Sequence, residues 1–212
     1  SGSSVSLSSD GTTVAIGAAW NDGAGTTAGH VRIYEYSAGS WTQLGADIDG
    51  EALEDYSGCS VSLSSGGDTV AIGASSNDGA GGNAGHARIY EYGAGSWSQL
   101  GADIDGEAVG DYSGSSVSLS SDGSTVAIGS RYNSGNGNDA GHARIYEYSA
   151  GSWTQLGVDI DGEAAGDESG YSVSLSSDGS RVAIGAYKND GNGTDAGHVR
   201  VYSICFDTIQ QQ

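Results

Sequence analysis

Ser4-Val5-Ser6-Leu7-Ser8-Ser9-Asp10-Gly11-Thr12-Thr13-Val14-Ala15-Ile16-Gly17 is the stretch that decides the fold. Its first half alternates polar and apolar residues, the period of a strand with one face turned to a core. Ser9-Asp10-Gly11 reads as a hairpin turn, because glycine takes positive φ without steric cost. Thr13-Val14-Ala15-Ile16-Gly17 is apolar almost throughout and is expected to be buried on both faces. The pattern returns at 60–73, 116–129 and 172–185. His30, His86, His142 and His198 are spaced by 56 residues, and so are Arg32, Arg88, Arg144 and Arg200. Trp41, Trp97 and Trp153 keep the same interval. The chain therefore divides into repeats 1–56, 57–112, 113–168 and a shortened 169–212.

Beyond the opening hairpin, each unit holds a Gly/Asx loop such as Asn21-Asp22-Gly23-Ala24-Gly25. A third strand follows from His30 to Tyr36, and a fourth from Trp41 to Ile48. No stretch has a helical period, so the class is all-β. Four strands in a unit of this length fit a β-propeller blade, which buries its faces only by packing on neighbouring blades. The expectation is a β-propeller of four 56-residue, four-stranded blades, with Ser203–Ile209 as the sixteenth strand. The alternative is part of a larger propeller or repeat array.

Composition alone would suggest a disordered acidic chain: 212 residues contain 38 glycines, no proline, 27 acids and 7 bases, for a net charge of -20. The repeat overrides that reading, since the glycines recur at fixed turns and close-packing positions. The acid excess argues against nucleic-acid and anionic-membrane partners. No apolar run reaches the ~18 residues of a membrane span. The start lies inside a repeat without a basic or apolar leader, so the chain reads as a processed piece or excerpt.

Ser57-Gly58-Cys59-Ser60-Val61-Ser62-Leu63, then Val70-Ala71-Ile72-Gly73-Ala74 and Gly85-His86-Ala87-Arg88-Ile89-Tyr90, resembles an FG-GAP repeat. Asp111-Tyr112-Ser113-Gly114 and Asp167-Glu168-Ser169-Gly170 resemble the lead-in to its Phe-Gly motif. That family builds the seven-bladed propeller of integrin α-subunits and related extracellular proteins. The resemblance covers residues 1–202 and implies an extracellular or cell-surface location. Serine stands where the family has phenylalanine, and the family's calcium loop is reduced to Ser-Ser-Asp-Gly. Calcium at that loop is therefore not carried over.

Candidate sites fall into three groups. Asp47 and Asp49, Asp103 and Asp105, and Asp159 and Asp161 place paired carboxylates at strand ends, where they bind calcium or pair with Arg32, Arg88 and Arg144. Asp190, Asn192 and Asp195 lie in the fullest Asx/Gly loop and are either calcium ligands or ordinary turn formers. Asn192-Gly193-Thr194 is also a glycosylation sequon. The third group varies between units while the strands do not: Trp20, Tyr132, Tyr187, Arg131 and Lys188 follow the second strand and are expected to contact ligand. The histidines read as packing residues. Cys59 reads as a buried thiol, and a Cys59–Cys205 bridge stays open.

No nucleophile elbow appears, and every histidine obeys the repeat. The expectation is thus a non-enzymatic structural or adhesive module contacting a protein or glycan at the cell surface or matrix. A lectin-like propeller, calcium-assisted or not, is one alternative, and a self-assembling filament or coat subunit is another. Calcium is the one cofactor considered.

Overall fold

The computed structural model describes residues 1–205 and 208–211, which form strands and no helix. The first unit supplies β1 (Ser4–Leu7), β2 (Thr13–Gly17), β3 (His30–Ser37), β4 (Ser40–Gln43) and β5 (Ile48–Asp49). The second supplies β6 (Ser60–Leu63), β7 (Thr69–Ala74), β8 (His86–Gly93), β9 (Ser96–Gln99) and β10 (Ile104–Asp105). In the third are β11 (Ser116–Leu119), β12 (Thr125–Ser130), β13 (His142–Ser149), β14 (Ser152–Gln155) and β15 (Ile160–Asp161). The fourth holds β16 (Ser169–Leu175), β17 (Arg181–Ala186), β18 (His198–Cys205) and β19 (Thr208–Gln211). Each unit is one antiparallel meander, and β5, β10 and β15 add short pairings to β3, β8 and β13.

Local sequence accounts for the turns. Leu7 pairs with Val14 and β2 begins at Thr13, so the first loop spans Ser8–Thr12 and is wider than the Asp-Gly pair suggests. Asp10 Oδ1 closes it, accepting bonds from Ser8 Oγ at 2.7 Å and from the Thr12 amide at 2.9 Å. Those donors hold the Asp10 carboxyl below its usual range, the Thr12 amide contributing most.

The fourth strand is broken where one strand was expected from Trp41 to Ile48. Its two parts, β4 and β5, flank Gly45, which adopts φ +77°. A Cβ at Gly45 would sit 2.8 Å from Trp97 Cδ1, so the indole of the next unit needs that glycine. Trp97 Nε1 donates to the Leu44 carbonyl at 2.8 Å, and Trp153 repeats the bond to Leu100 at 2.7 Å.

The core lies between units. Val61, Leu63, Val70 and Ile72 of one blade pack on Ala15, Val31, Ile33 and Ile48 of the blade before, flanked by Tyr90 and Trp97. Two further clusters repeat this arrangement along the chain. Each such buried aliphatic side chain contributes roughly 1.5–3 kcal/mol. Ser4, Ser60 and Ser116 also donate from Oγ to the carbonyls of Gly58, Gly114 and Gly170. Successive inner strands β1, β6, β11 and β16 therefore touch in order.

Among the described residues no apolar cluster joins the fourth unit to the first. Val5 and Leu7 are 67% and 61% exposed, where their repeat partners Val61 and Leu63 are 8% and 7%. At the other end Val199 is 66% exposed, where Val31 is fully buried. The four antiparallel sheets, one per repeat, bear out the expected propeller blades, and among the described residues the faces of the first and fourth units are left uncovered. The segment Ser203–Ile209, expected as the sixteenth strand, is divided instead: Ser203–Cys205 end β18 and the strand that pairs with it is β19, while Phe206 and Asp207 lie outside the described residues. The side chain of Cys205 also lies outside them, and with it the bridge to Cys59.

Candidate functional site at one end of the blades

The loops joining β2 to β3, and those leading into β6 and β11, meet at one end of the inner strands. They enclose a groove of about 580 Å³ whose lining includes Trp20, Tyr56, Cys59, Tyr112 and Arg131. Three lead-in residues at equivalent positions, Tyr56, Tyr112 and Glu168, adopt φ of 54°, 54° and 50°. Left-handed backbone at a bulky side chain stores strain, and such positions concentrate at functional sites.

The rings are paired. Trp20 meets Tyr56 edge-on at 4.9 Å between centroids, and Tyr112 meets Tyr132 at 5.4 Å. Tyr171 and Tyr187 pair at 4.3 Å. The Arg131 guanidinium lies 4.7 Å from the Tyr132 centroid and 5.6 Å from that of Tyr171, joining the second pair to the third. In the fourth unit Glu168 and Lys188 replace the Tyr112–Tyr132 pair with an ion pair of 2.5 Å. That contact raises the Lys188 amine above its ordinary range, the hydrogen bond to Glu168 being the main cause.

Structure thus gathers the five variable residues on one end, with Trp20 and Arg131 lining the groove and Tyr132, Tyr187 and Lys188 extending its rim. Tyr56, Tyr112 and Tyr171 were missed in the sequence. For Tyr56 and Tyr112 the only signal was the departure from Phe-Gly in the lead-in, which does not reveal a left-handed backbone. Cys59 is half-buried on the groove wall, and its thiol faces the Gly73 and Gly114 carbonyls at 3.4 and 3.5 Å.

One strand outward, the strand-end acids meet the histidines. His30 Nδ1 lies 3.6 Å from Asp47 and 3.9 Å from Asp49. His86 Nδ1 lies 3.7 Å from Asp103, with Glu51 of the preceding unit completing the cluster. His142 Nδ1 lies 3.8 Å from Asp159 and 3.9 Å from Glu107. Burial, followed by the charge of Arg144, lowers the His142 pKa to about 4. Burial and Arg88 shift His86 the same way, whereas burial raises the Glu107 carboxyl. Arg32, Arg88 and Arg144 pair with Asp47, Glu51 and Glu107. Asp105 and Asp161 engage through their backbone carbonyls, which accept from Arg144 and Arg200 at 2.6 Å. A packing role for the histidines therefore omits their carboxylate neighbours.

In the Asx/Gly loops the acids hold backbone. Asp190 Oδ1 accepts from the Asp195 amide at 2.8 Å, as Asp22 does from Thr27 and Asp78 from Asn83. Asn192 is exposed on the fourth loop.

The FG-GAP repeat model matches residues 158–202, which supports an FG-GAP-like repeat there, in a unit that shares its register with the other three. No curated protein matches the sequence. Among solved structures, a putative 6-phosphogluconolactonase from Bacteroides uniformis superposes with a TM-score of 0.65 at 12% identity, over 99% of this chain and 52% of that one. The periplasmic gluconolactonase of Pseudomonas aeruginosa gives 0.62 at 16% identity, over 100% and 56%. Kuenenia stuttgartiensis hydrazine synthase gives 0.60 at 13% identity, over 99% and 48%. The chain spans about half the length of these β-propeller proteins. This comparison corrects the expectation that the chain is not an enzyme, since the propellers it matches are named as enzymes. The reasoning from repeat symmetry fails for a physical reason. A groove shared by several blades combines side chains that differ between units, so no single unit has to carry an aberrant histidine or acid.

Proposed function

We propose that this chain is an FG-GAP-type propeller module of the cell surface or extracellular space that binds a protein partner through the aromatic groove. The observation that carries this reading is the row Trp20–Tyr56, Tyr112–Tyr132 and Tyr171–Tyr187 bridged by Arg131. Trp, Tyr and Arg are the residues that dominate protein interfaces, and here rigid blades fix them in place. The test is capture of surface and matrix proteins on immobilised module, compared with Trp20→Ala and Arg131→Ala. Each substitution should weaken binding at least tenfold, about 1.4 kcal/mol. Unchanged binding by both variants would refute the assignment.

The exposed Trp20 ring supports a second reading, glycan binding, because an open aromatic face stacks on a sugar ring. A neutral-glycan array that binds the module and loses signal with Trp20→Ala would favour it over the protein partner. Self-assembly draws on a separate observation, the uncovered apolar faces of the first and fourth units. Light scattering over a concentration series, repeated with Val5→Lys and Leu7→Lys together, tests that reading; a constant monomer mass would dismiss it.

A further inference from the structure

We propose that the first two blade junctions each bind a divalent transition-metal ion of the zinc class, one through Glu51, His86 and Asp103 and the other through Glu107, His142 and Asp159. In each triad one ligand atom per residue lies within 4.8 Å of the other two. The side chains of His86 and His142 are 1% exposed, and neither ring nitrogen of either has a hydrogen-bond partner. A buried polar group left in this way is unfavourable. The cost is incurred twice, at equivalent positions.

Nδ1 faces the aspartate oxygens at 3.7 and 3.8 Å, and His142 faces Glu107 Oε2 at 3.9 Å. These separations are too long for hydrogen bonds. They suit two ligands of one ion: atoms about 2.05 Å from zinc lie about 3.3 Å apart at a tetrahedral angle and about 3.9 Å apart near 140°.

The carboxylates are also pre-oriented. Gln99 Nε2 holds Asp103 Oδ1 at 2.6 Å, and Gln155 Nε2 holds Asp159 Oδ1 at 2.7 Å, leaving each Oδ2 turned to the imidazole. Arg144 Nη1 stands at ion-pair distance, 3.6 Å, from Glu107 Oε1, while Oε2 faces His142. Arg88 Nη1 holds Glu51 Oε1 at 3.0 Å. One oxygen of Asp103, Asp159 and Glu51 is thus held by an outer partner, and that of Glu107 faces a guanidinium, the pattern that orients ligands around a metal. An imidazole with two carboxylates suits zinc-class ions, whereas calcium and magnesium prefer all-oxygen sets.

The flanking units differ. Asp47 Oδ2, the oxygen facing His30, is already taken by Arg32 Nε and Nη2 at 3.0 and 2.9 Å. His198 is 22% exposed and meets Glu163 alone among the described residues. Two ions per chain is therefore the expected number. Each ion ties a glutamate of one blade to the histidine and aspartate of the next, so binding should clamp the blades together.

The experiment titrates chelator-stripped protein with zinc chloride by calorimetry, and with cobalt(II) by absorption, while following the melting midpoint. Two equivalents should bind, with cobalt bands of low coordination number and a rise in midpoint. Asp103→Asn and Asp159→Asn, at side chains 30% and 29% exposed, should each abolish one equivalent or weaken it at least tenfold, with unchanged circular dichroism. Equimolar calcium should not compete. No zinc uptake, uptake indifferent to both substitutions, or displacement by equimolar calcium would overturn the proposal.

Discussion

Gly73→Ala tests whether the junctions between blades set the stability of the fold. A Cβ at Gly73 would lie 1.9 Å from the Gly114 carbonyl oxygen and 2.4 Å from Ser60 Oγ. The serine can rotate, but the carbonyl belongs to the next blade's backbone and accepts the Ser60 hydroxyl at 2.7 Å. Restoring an ordinary contact of about 3.4 Å needs a shift of about 1.5 Å between close-packed blades. Overpacking of this kind costs about 1–3 kcal/mol, and a backbone obstacle places it at the upper end. For a chain of this size, about 3 kcal/mol corresponds to a drop in melting midpoint of roughly 6–12 °C. Gly185 occupies the same repeat position in the fourth unit, where the first obstacle is only Ser172 Oγ at 2.5 Å. Gly185→Ala should stay within about 1 kcal/mol of the parent, helped by alanine's lower entropy cost in a strand. Urea unfolding followed by tryptophan fluorescence reads both variants. Equal loss in the two would show that the glycine serves its own strand and not the junction.

Trp97→Phe should cost about 1 kcal/mol or more by removing the bond to the Leu44 carbonyl and leaving that acceptor unmatched. Trp41→Phe, at a ring 47% exposed on the uncovered face, should be nearly neutral; equal effects in urea titrations would contradict the assignment of the indole to the junction. Acid should weaken the metal-free protein before its carboxylates titrate. The pKa of His142 falls from about 6.5 unfolded to about 4 folded, so the unfolded chain binds the extra proton and stability drops as pH falls through this window. His142 alone accounts for about 2 kcal/mol by pH 5, and the urea midpoint in chelator should fall accordingly between pH 7 and 5. A flat profile would refute the buried neutral imidazole.

How far the sequence reached depends on the range of each interaction. The alternation in Ser60-Val61-Ser62-Leu63 and the apolar run Thr69–Gly73 are local, and they appear as β6 and β7. The break in the fourth strand was hidden, because it depends on Trp97 from another unit seating over Gly45. In the groove, the variable positions were visible as variation, while their partners Tyr56 and Tyr112 were not. Those tyrosines reach the site through positive φ, which their identity disfavours and the packed lead-in imposes. The histidine clusters were half legible: Asp103 is near His86 in sequence, but Glu51 arrives from the preceding blade.

By itself the sequence determined the period, the first three strands of each blade and the composition of every blade, since turn chemistry and alternation act over a few residues. It also determined that each blade must be covered. Ser-Val-Ser-Leu occurs identically at 4–7 and 60–63, yet Val5 is 67% exposed and Val61 8%. Only the tertiary structure decided that difference, because burial belongs to whatever packs against a strand. The same holds for the groove and the imidazole–carboxylate clusters, whose parts lie in different blades and meet only once the blades have stacked.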